Sequence, residues 1–124
     1  MNDILFKFHI AEITKNVDGG LIVRIPKGIN DKSFLLRLIA EILFFPNYFG
    51  QNWDALDECL ADLSWIKQPA ICLWHEDIPL AVAPNEARCY LQVLDRVLRE
   101  PGNVSLEVNF PDEVRDEVEA LLAV

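Results

Sequence analysis

Asp54, Asp57, Glu58 and Asp62 are the residues of this chain best placed to do chemistry. They lie within W-D-A-L-D-E-C-L-A-D, residues 53–62. At about 100° per residue the acids fall on one arc of a helix, and Trp53, Leu56, Cys59, Leu60 and Leu63 fall on the other. Asp54 and Glu58 are one turn apart, as are Glu58 and Asp62, and each such like-charge pair costs an isolated helix roughly 0.2–0.5 kcal/mol. Asp54 alone is accounted for by the helix dipole, which favours an acid in the first turn. The remainder reads either as a solvated acidic face or as a surface built to meet something cationic. Asp54 and Glu58 could in principle pair as catalytic carboxylates or hold a divalent ion. Nothing near them in sequence supplies a nucleophile, a phosphate-binding glycine loop or a basic clamp, so no catalytic residue is expected.

Other constellations are weaker. Cys72 and His75 have C-x-x-H spacing, but one pair falls short of the four ligands of a structural zinc site. A buried cysteine and a surface histidine are expected, with no metal and no cofactor. His9 sits in an expected strand. Glu100, at the end of a helix, faces the negative end of the dipole at a cost of roughly 0.3–1 kcal/mol. It is either a functional position or lies just past the helix in solvent.

These residues need elements to hold them. Pro46, Asn47 and Gly50 make a loop around Tyr48 and Phe49, and Asn52 caps the helix that starts at Trp53. Upstream, Leu5–Ile13 alternates and predicts an edge strand. Val17-Asp18-Gly19-Gly20 is a turn signal before the β-branched run Leu21–Ile25, so the two strands are expected to form an antiparallel hairpin. Asn30 or Asp31 caps a helix from Lys32 to about Leu43, its apolar stripe being Phe34, Leu35, Leu38, Ile39, Ile42 and Leu43. Ala70–Trp74 reads as a strand covered on both faces. A helix follows from Pro84, with Ala87, Tyr90, Leu91, Leu94, Val97 and Leu98 inward, until Pro101-Gly102. Val104–Phe110 is the last strand, and a short acidic helix runs from Pro111 to about Leu122. Strands alternating with helices predict an α/β fold. The expected form is a small single-layer sheet with three parallel core strands packed by helices, an N-terminal antiparallel edge strand and a short C-terminal helix.

Composition bounds the rest. The 124 residues suit one domain, 1–124, and 52% hydrophobic against 25% charged residues suit a folded chain. The formal net charge of −9 disfavours nucleic acid and favours a basic protein partner. No apolar run approaches the roughly 20 residues of a membrane span, and no signal peptide is visible, so a cytoplasmic protein with no membrane contact is expected. Cys59, Cys72 and Cys89 are then free thiols, with Cys59 reduced and packed.

The loop and helix resemble the signature of the barstar family of bacterial ribonuclease inhibitors. There a loop P-x-Y-Y-G-x-N leads into a helix D-A-L-x-x-C-L; this chain has P-N-Y-F-G-Q-N-W followed by D-A-L-D-E-C-L. Pro69–Trp74, P-A-I-C-L-W, resembles the family's P-x-aliphatic-x-x-W strand, and Tyr90–Leu94 resembles the start of its last long helix. The likeness runs from about Gly20 to Phe110. It implies an inhibitor, not an enzyme, that plugs a basic ribonuclease cleft with the loop and the first half of the helix. Carried over by position, Tyr48 matches an interface tyrosine, and Asp54 the first helix aspartate. Gly50 and Asn52 match loop positions, and Glu58 stands where the family has its phosphate-mimicking aspartate. The expected partner-binding set is Tyr48, Phe49, Gly50, Asn52, Trp53, Asp54, Asp57, Glu58, Asp62 and Glu100. Departures are Glu58 for that aspartate, Asp57 for a tryptophan, Leu63 for another tryptophan, and Arg96 for an interface glutamate; Glu100 matches a second glutamate. The partner implied is a basic ribonuclease or toxin, and the chain is expected to be monomeric when free. The alternative is an interaction module on the same scaffold that binds a non-ribonuclease toxin or a host protein.

Overall fold

The computed structural model describes residues 3–10, 20–46, 50–100 and 102–123. In chain order these form strand β1 (Lys7–His9), strand β2 (Leu21–Ile25), helix α1 (Lys32–Ile42), helix α2 (Trp53–Asp62) and strand β3 (Ala70–His75). Helix α3 (Pro84–Arg99), strand β4 (Ser105–Pro111), a 3-10 turn (Asp112–Val114) and helix α4 (Arg115–Leu122) complete them. The sheet order is β1-β4-β3-β2, and every neighbouring pair is parallel.

The three core strands are thus parallel, as strand–helix alternation requires, but the N-terminal strand is not an antiparallel hairpin partner. β1 lies at the far edge from β2, beside β4, with Lys7 opposite Asn109 and Phe8 opposite Phe110. The turn signal at Val17–Gly19 and the tail of the expected strand beyond Ile10 lie outside the described residues. Contacts that a hairpin would not provide fix β1 where it is. Lys7 Nζ sits 2.7 Å from the Glu107 carboxylate, and Phe6, 5% exposed, packs its ring on Phe110 at 5.3 Å. Local turn propensity is a weak preference beside the roughly 1.5–3 kcal/mol of a fully buried aromatic side chain.

The register puts Val23, Ile25, Ile71, Leu73, His75, Val108 and Phe110 on one face of the sheet, all buried. Leu35, Leu36 and Ile39 of α1, Leu56 and Leu60 of α2, and Tyr90, Leu91, Leu94 and Val97 of α3 join them in the core. In α1 the inward stripe is shifted from the expected one. Leu36 is buried and Phe34 is 48% exposed, so the helix is turned to bring Leu35, Leu36 and Ile39 against the core.

The opposite face carries Lys7, His9, Cys72, Trp74, Glu107 and Asn109. His9 stacks on Trp74 with ring centroids 3.6 Å apart. Glu107 receives hydrogen bonds from Lys7, Cys72 and Asn109. Burial alone would raise its pKa, but these donors together bring it below the usual carboxylate range. Burial pushes the Cys72 thiol the other way, up to about 11.

His75 corrects the expectation of a surface histidine. It is wholly buried, and its ring stacks on Phe110 at 4.0 Å. Nδ1 lies 2.9 Å from the Asn109 carbonyl oxygen and Nε2 lies 2.7 Å from the Tyr90 hydroxyl. A neutral ring satisfies both: Nδ1–H donates to the carbonyl, and Nε2 accepts from the hydroxyl. Three residues apart on one strand, Cys72 and His75 point to opposite faces and cannot share a metal. The thiols have distinct expected reactivities. Cys59 and Cys72 are buried, and Cys89 is half-buried. Burial, and then the neighbouring Glu58 and Asp62, hold the Cys59 thiol above its ordinary pKa. A thiol reagent at neutral pH should label Cys89 first and the other two only after unfolding; rapid native labelling of Cys59 would contradict this packing.

Candidate partner-binding face

Asn52 opens α2 as expected. Its backbone is extended, and its side-chain Oδ1 accepts from the Ala55 amide at 2.8 Å, satisfying one of the orphan donors of the first turn. Leu56, Cys59 and Leu60 point inward. The helix ends at Leu63, which takes φ 46° while its side chain is only 1% exposed. A left-handed leucine costs roughly 1–2 kcal/mol, and burial of the side chain offsets about that much. The same magnitudes explain why an acidic outer face is tolerated: the buried leucines outweigh like-charge repulsion of a few tenths of a kcal/mol per pair.

The four acids differ in what engages them. Asp57 is the most covered, with its side chain 22% exposed, and it pairs with Arg96 of α3 at 3.1 Å. Asp62 Oδ1 accepts from the Ser64 amide at 3.3 Å and lies 3.4 Å from Asn103 Nδ2, a donor that also bonds the Asp62 carbonyl at 2.8 Å. Asp54 and Glu58 are exposed, and among the described residues no hydrogen bond or ion pair engages either carboxylate. Two unengaged carboxylates one turn apart therefore stand outward on α2.

Trp53 does not present its face for ligand stacking. Its indole N–H donates to Glu86 at the start of α3 at 2.9 Å, and Lys32 at the start of α1 lies 5.0 Å over its ring. Lys32 also approaches Glu86 at 4.0 Å. One tryptophan thus ties together the first turns of three helices, and so aims the N-terminal end of α2. Gly50 and Asn52 are exposed beside it, with the Asn52 amide donating to the Gly50 carbonyl at 2.7 Å. Tyr48 and Phe49 lie outside the described residues.

Glu100 is the C-cap residue of α3 and is exposed, so its carboxylate is solvated just past the last turn. The loop after it is pinned to α2: Asn103 holds Asp62, and Gly102 packs on the backbone of Ala61. A Cβ at position 102 would run into the Ala61 carbonyl oxygen, which cannot move without unwinding the end of α2. Gly102→Ala is therefore expected to destabilise the fold by roughly 1–3 kcal/mol, as overpacking does. An unchanged urea midpoint would show that this loop is not held against the helix.

Sequence reasoning left out Lys32, Glu86 and Asn103, whose partners lie on other elements. Arg96 and Asp57 were visible as opposite charges, but their pairing depends on how α2 and α3 pack. Among the described residues no helix is long and apolar enough to cross a membrane, and no group of three or more His, Cys, Asp and Glu side chains is placed to hold a metal ion.

A parallel α/β layer thus carries α2 with its acidic face outward. A family model described as barstar, the barnase inhibitor, matches residues 22–111. The chain belongs to the barstar family. The match begins in β2 and ends with β4, so β1, the 3-10 turn and α4 lie beyond it. Those additions contact one another: the Arg115 guanidinium stands 4.2 Å over the Phe8 ring.

Proposed function

We propose that this protein is an intracellular inhibitor of a basic ribonuclease, an immunity protein of one domain, 1–124, that acts as a monomer in the cytoplasm. It is not an enzyme on this reading, and it uses no cofactor, metal, membrane or nucleic acid. The observation that carries the proposal is the pair of unengaged carboxylates, Asp54 and Glu58, on the outer face of a helix capped by Asn52. They stand in for substrate phosphates against the Arg, Lys and His side chains of a ribonuclease cleft. Gly50, Asn52 and Trp53 flank that face, and Tyr48 and Phe49 are further partner contacts that the family likeness implies; Asp62 and Glu100 add negative field, while Asp57, paired with Arg96, lies at the α3 margin. A net charge of −9 speeds encounter with a basic partner, an effect that salt suppresses.

The test is capture and inhibition together. The immobilised chain should retain a ribonuclease from a lysate of its native host, and the free chain should abolish that ribonuclease's activity at stoichiometric ratio. Capture of a protein without ribonuclease activity would favour the second reading, an interaction module on the same scaffold. The altered positions Asp57, Glu58 and Arg96 are what speak for that reading.

A further inference from the structure

Arg96 is the one cation that the described residues place against the acidic outer face of α2. Gln92 and Arg96 are one turn apart on α3 and both exposed, and Glu100 follows, exposed, just past the helix end. Arg96 Nη1 bonds Asp57 Oδ2 at 3.1 Å, while the Arg96 side chain remains 59% exposed. A guanidinium has five N–H donors, and this contact uses Nη1 alone. Asp57 is meanwhile withdrawn from the face, since its charge is matched and its side chain is mostly covered. The pair therefore removes one negative charge from the α2 surface and fixes a positive one at its α3 margin. A partner seated on Asp54 and Glu58 meets that guanidinium at the edge of its cleft.

We propose that Arg96, held in place by Asp57, sets partner choice on this face. It selects a ribonuclease that carries a carboxylate at the margin of its cationic cleft and disfavours one whose margin is basic. This rests on the inhibitor reading above. Like charges brought together at an interface act against the wrong partner more strongly than opposite charges reward the right one. Asp57 supplies the positioning: without it, Arg96 would sweep through solvent and discriminate less.

Barnase, the ribonuclease in the family's description, serves as the basic probe. Inhibition constants and association rates are measured at low and high salt for the wild-type chain, Arg96→Gln, Arg96→Glu and Asp57→Asn. A panel of barnase variants with single Lys or Arg→Glu changes is measured alongside. Arg96→Glu should inhibit barnase at least about tenfold more tightly than wild type, chiefly through a faster association that high salt suppresses. At least one barnase Lys or Arg→Glu variant should reverse that order. A merely structural ion pair would lower the melting temperature of Arg96→Gln and Asp57→Asn alike and leave the order of partners unchanged, which overturns the proposal. Equal inhibition of barnase by wild type and Arg96→Glu also overturns it, and leaves the inhibitor reading standing. If neither chain inhibits any member of the panel while both melt as folded proteins, the role of Arg96 in choosing among barnase-type clefts is overturned, and the inhibitor reading rests on the capture test with the host ribonuclease.

Discussion

Glu58→Ala is expected to weaken inhibition of the cognate ribonuclease at least about thirtyfold, a loss of roughly 2 kcal/mol or more. Among the described residues nothing engages the Glu58 carboxylate, so the free protein loses no internal bond with it. On the proposed reading, the same carboxylate is taken out of water in the complex, against cations of the cleft. Truncating one member of such a pair costs roughly 2–5 kcal/mol, in part because the partner's charge is left unmatched. A solvated acid at the rim costs less than about 1 kcal/mol. Asp112→Ala is the control: its carboxylate pairs with Arg115 at 2.9 Å, three residues on, and lies outside the α2 face. That change should alter the inhibition constant little. Neither variant should unfold, and Glu58→Ala should melt at or slightly above wild type by relieving repulsion from Asp54. Equal, small losses for the two variants would mean that the α2 face is only solvated, and the proposed mechanism would be wrong.

The outward placement of Glu58 could be read from sequence because it is local. A cap at Asn52, a 3.6-residue apolar repeat and an acid on the outer arc all follow from residues within one helix of one another. The three parallel core strands were legible for a related reason: a β-branched run at Leu21–Ile25, an apolar run at Ala70–Trp74 and an alternating one at Val104–Phe110 are each followed or preceded by a helix. What escaped is non-local. β1 alternates as a strand should, but its neighbour is decided by Glu107 and Phe110, far along the chain, and the turn signal before β2 pointed elsewhere. Trp53 could be assigned to a helix, whereas its bond to Glu86 and its contact with Lys32 required three helix starts to converge. Arg96 showed only as a charge of unexpected sign until α2 and α3 were set side by side.

His75 is the clearest such case, and it makes the second large prediction. At the end of an apolar run a histidine reads as the residue that meets solvent. Here the Tyr90 hydroxyl and the Asn109 carbonyl accommodate it inside the core, in its neutral form. Burial, against a smaller opposing effect of its hydrogen bonds to the backbone, lowers its pKa from 6.5 to about 3. The unfolded chain therefore takes up a proton near pH 6.5 that the folded chain refuses until about pH 3. The stability conferred by this neutral site is complete above the unfolded pKa and is lost as pH falls between those values. Each pH unit in that window removes about 1.4 kcal/mol, and the whole window amounts to roughly 5 kcal/mol, comparable with the total stability of many domains. Glu107, whose pKa is also held down, adds to the loss in the same direction at lower pH. Urea unfolding at pH 7, 6, 5 and 4 should show a steep decline in wild type. His75→Gln should be less stable at pH 7, where it loses the fitted ring, but should decline more gently, because glutamine has no proton to gain. Parallel declines for the two proteins would show that His75 is not the group that acid attacks.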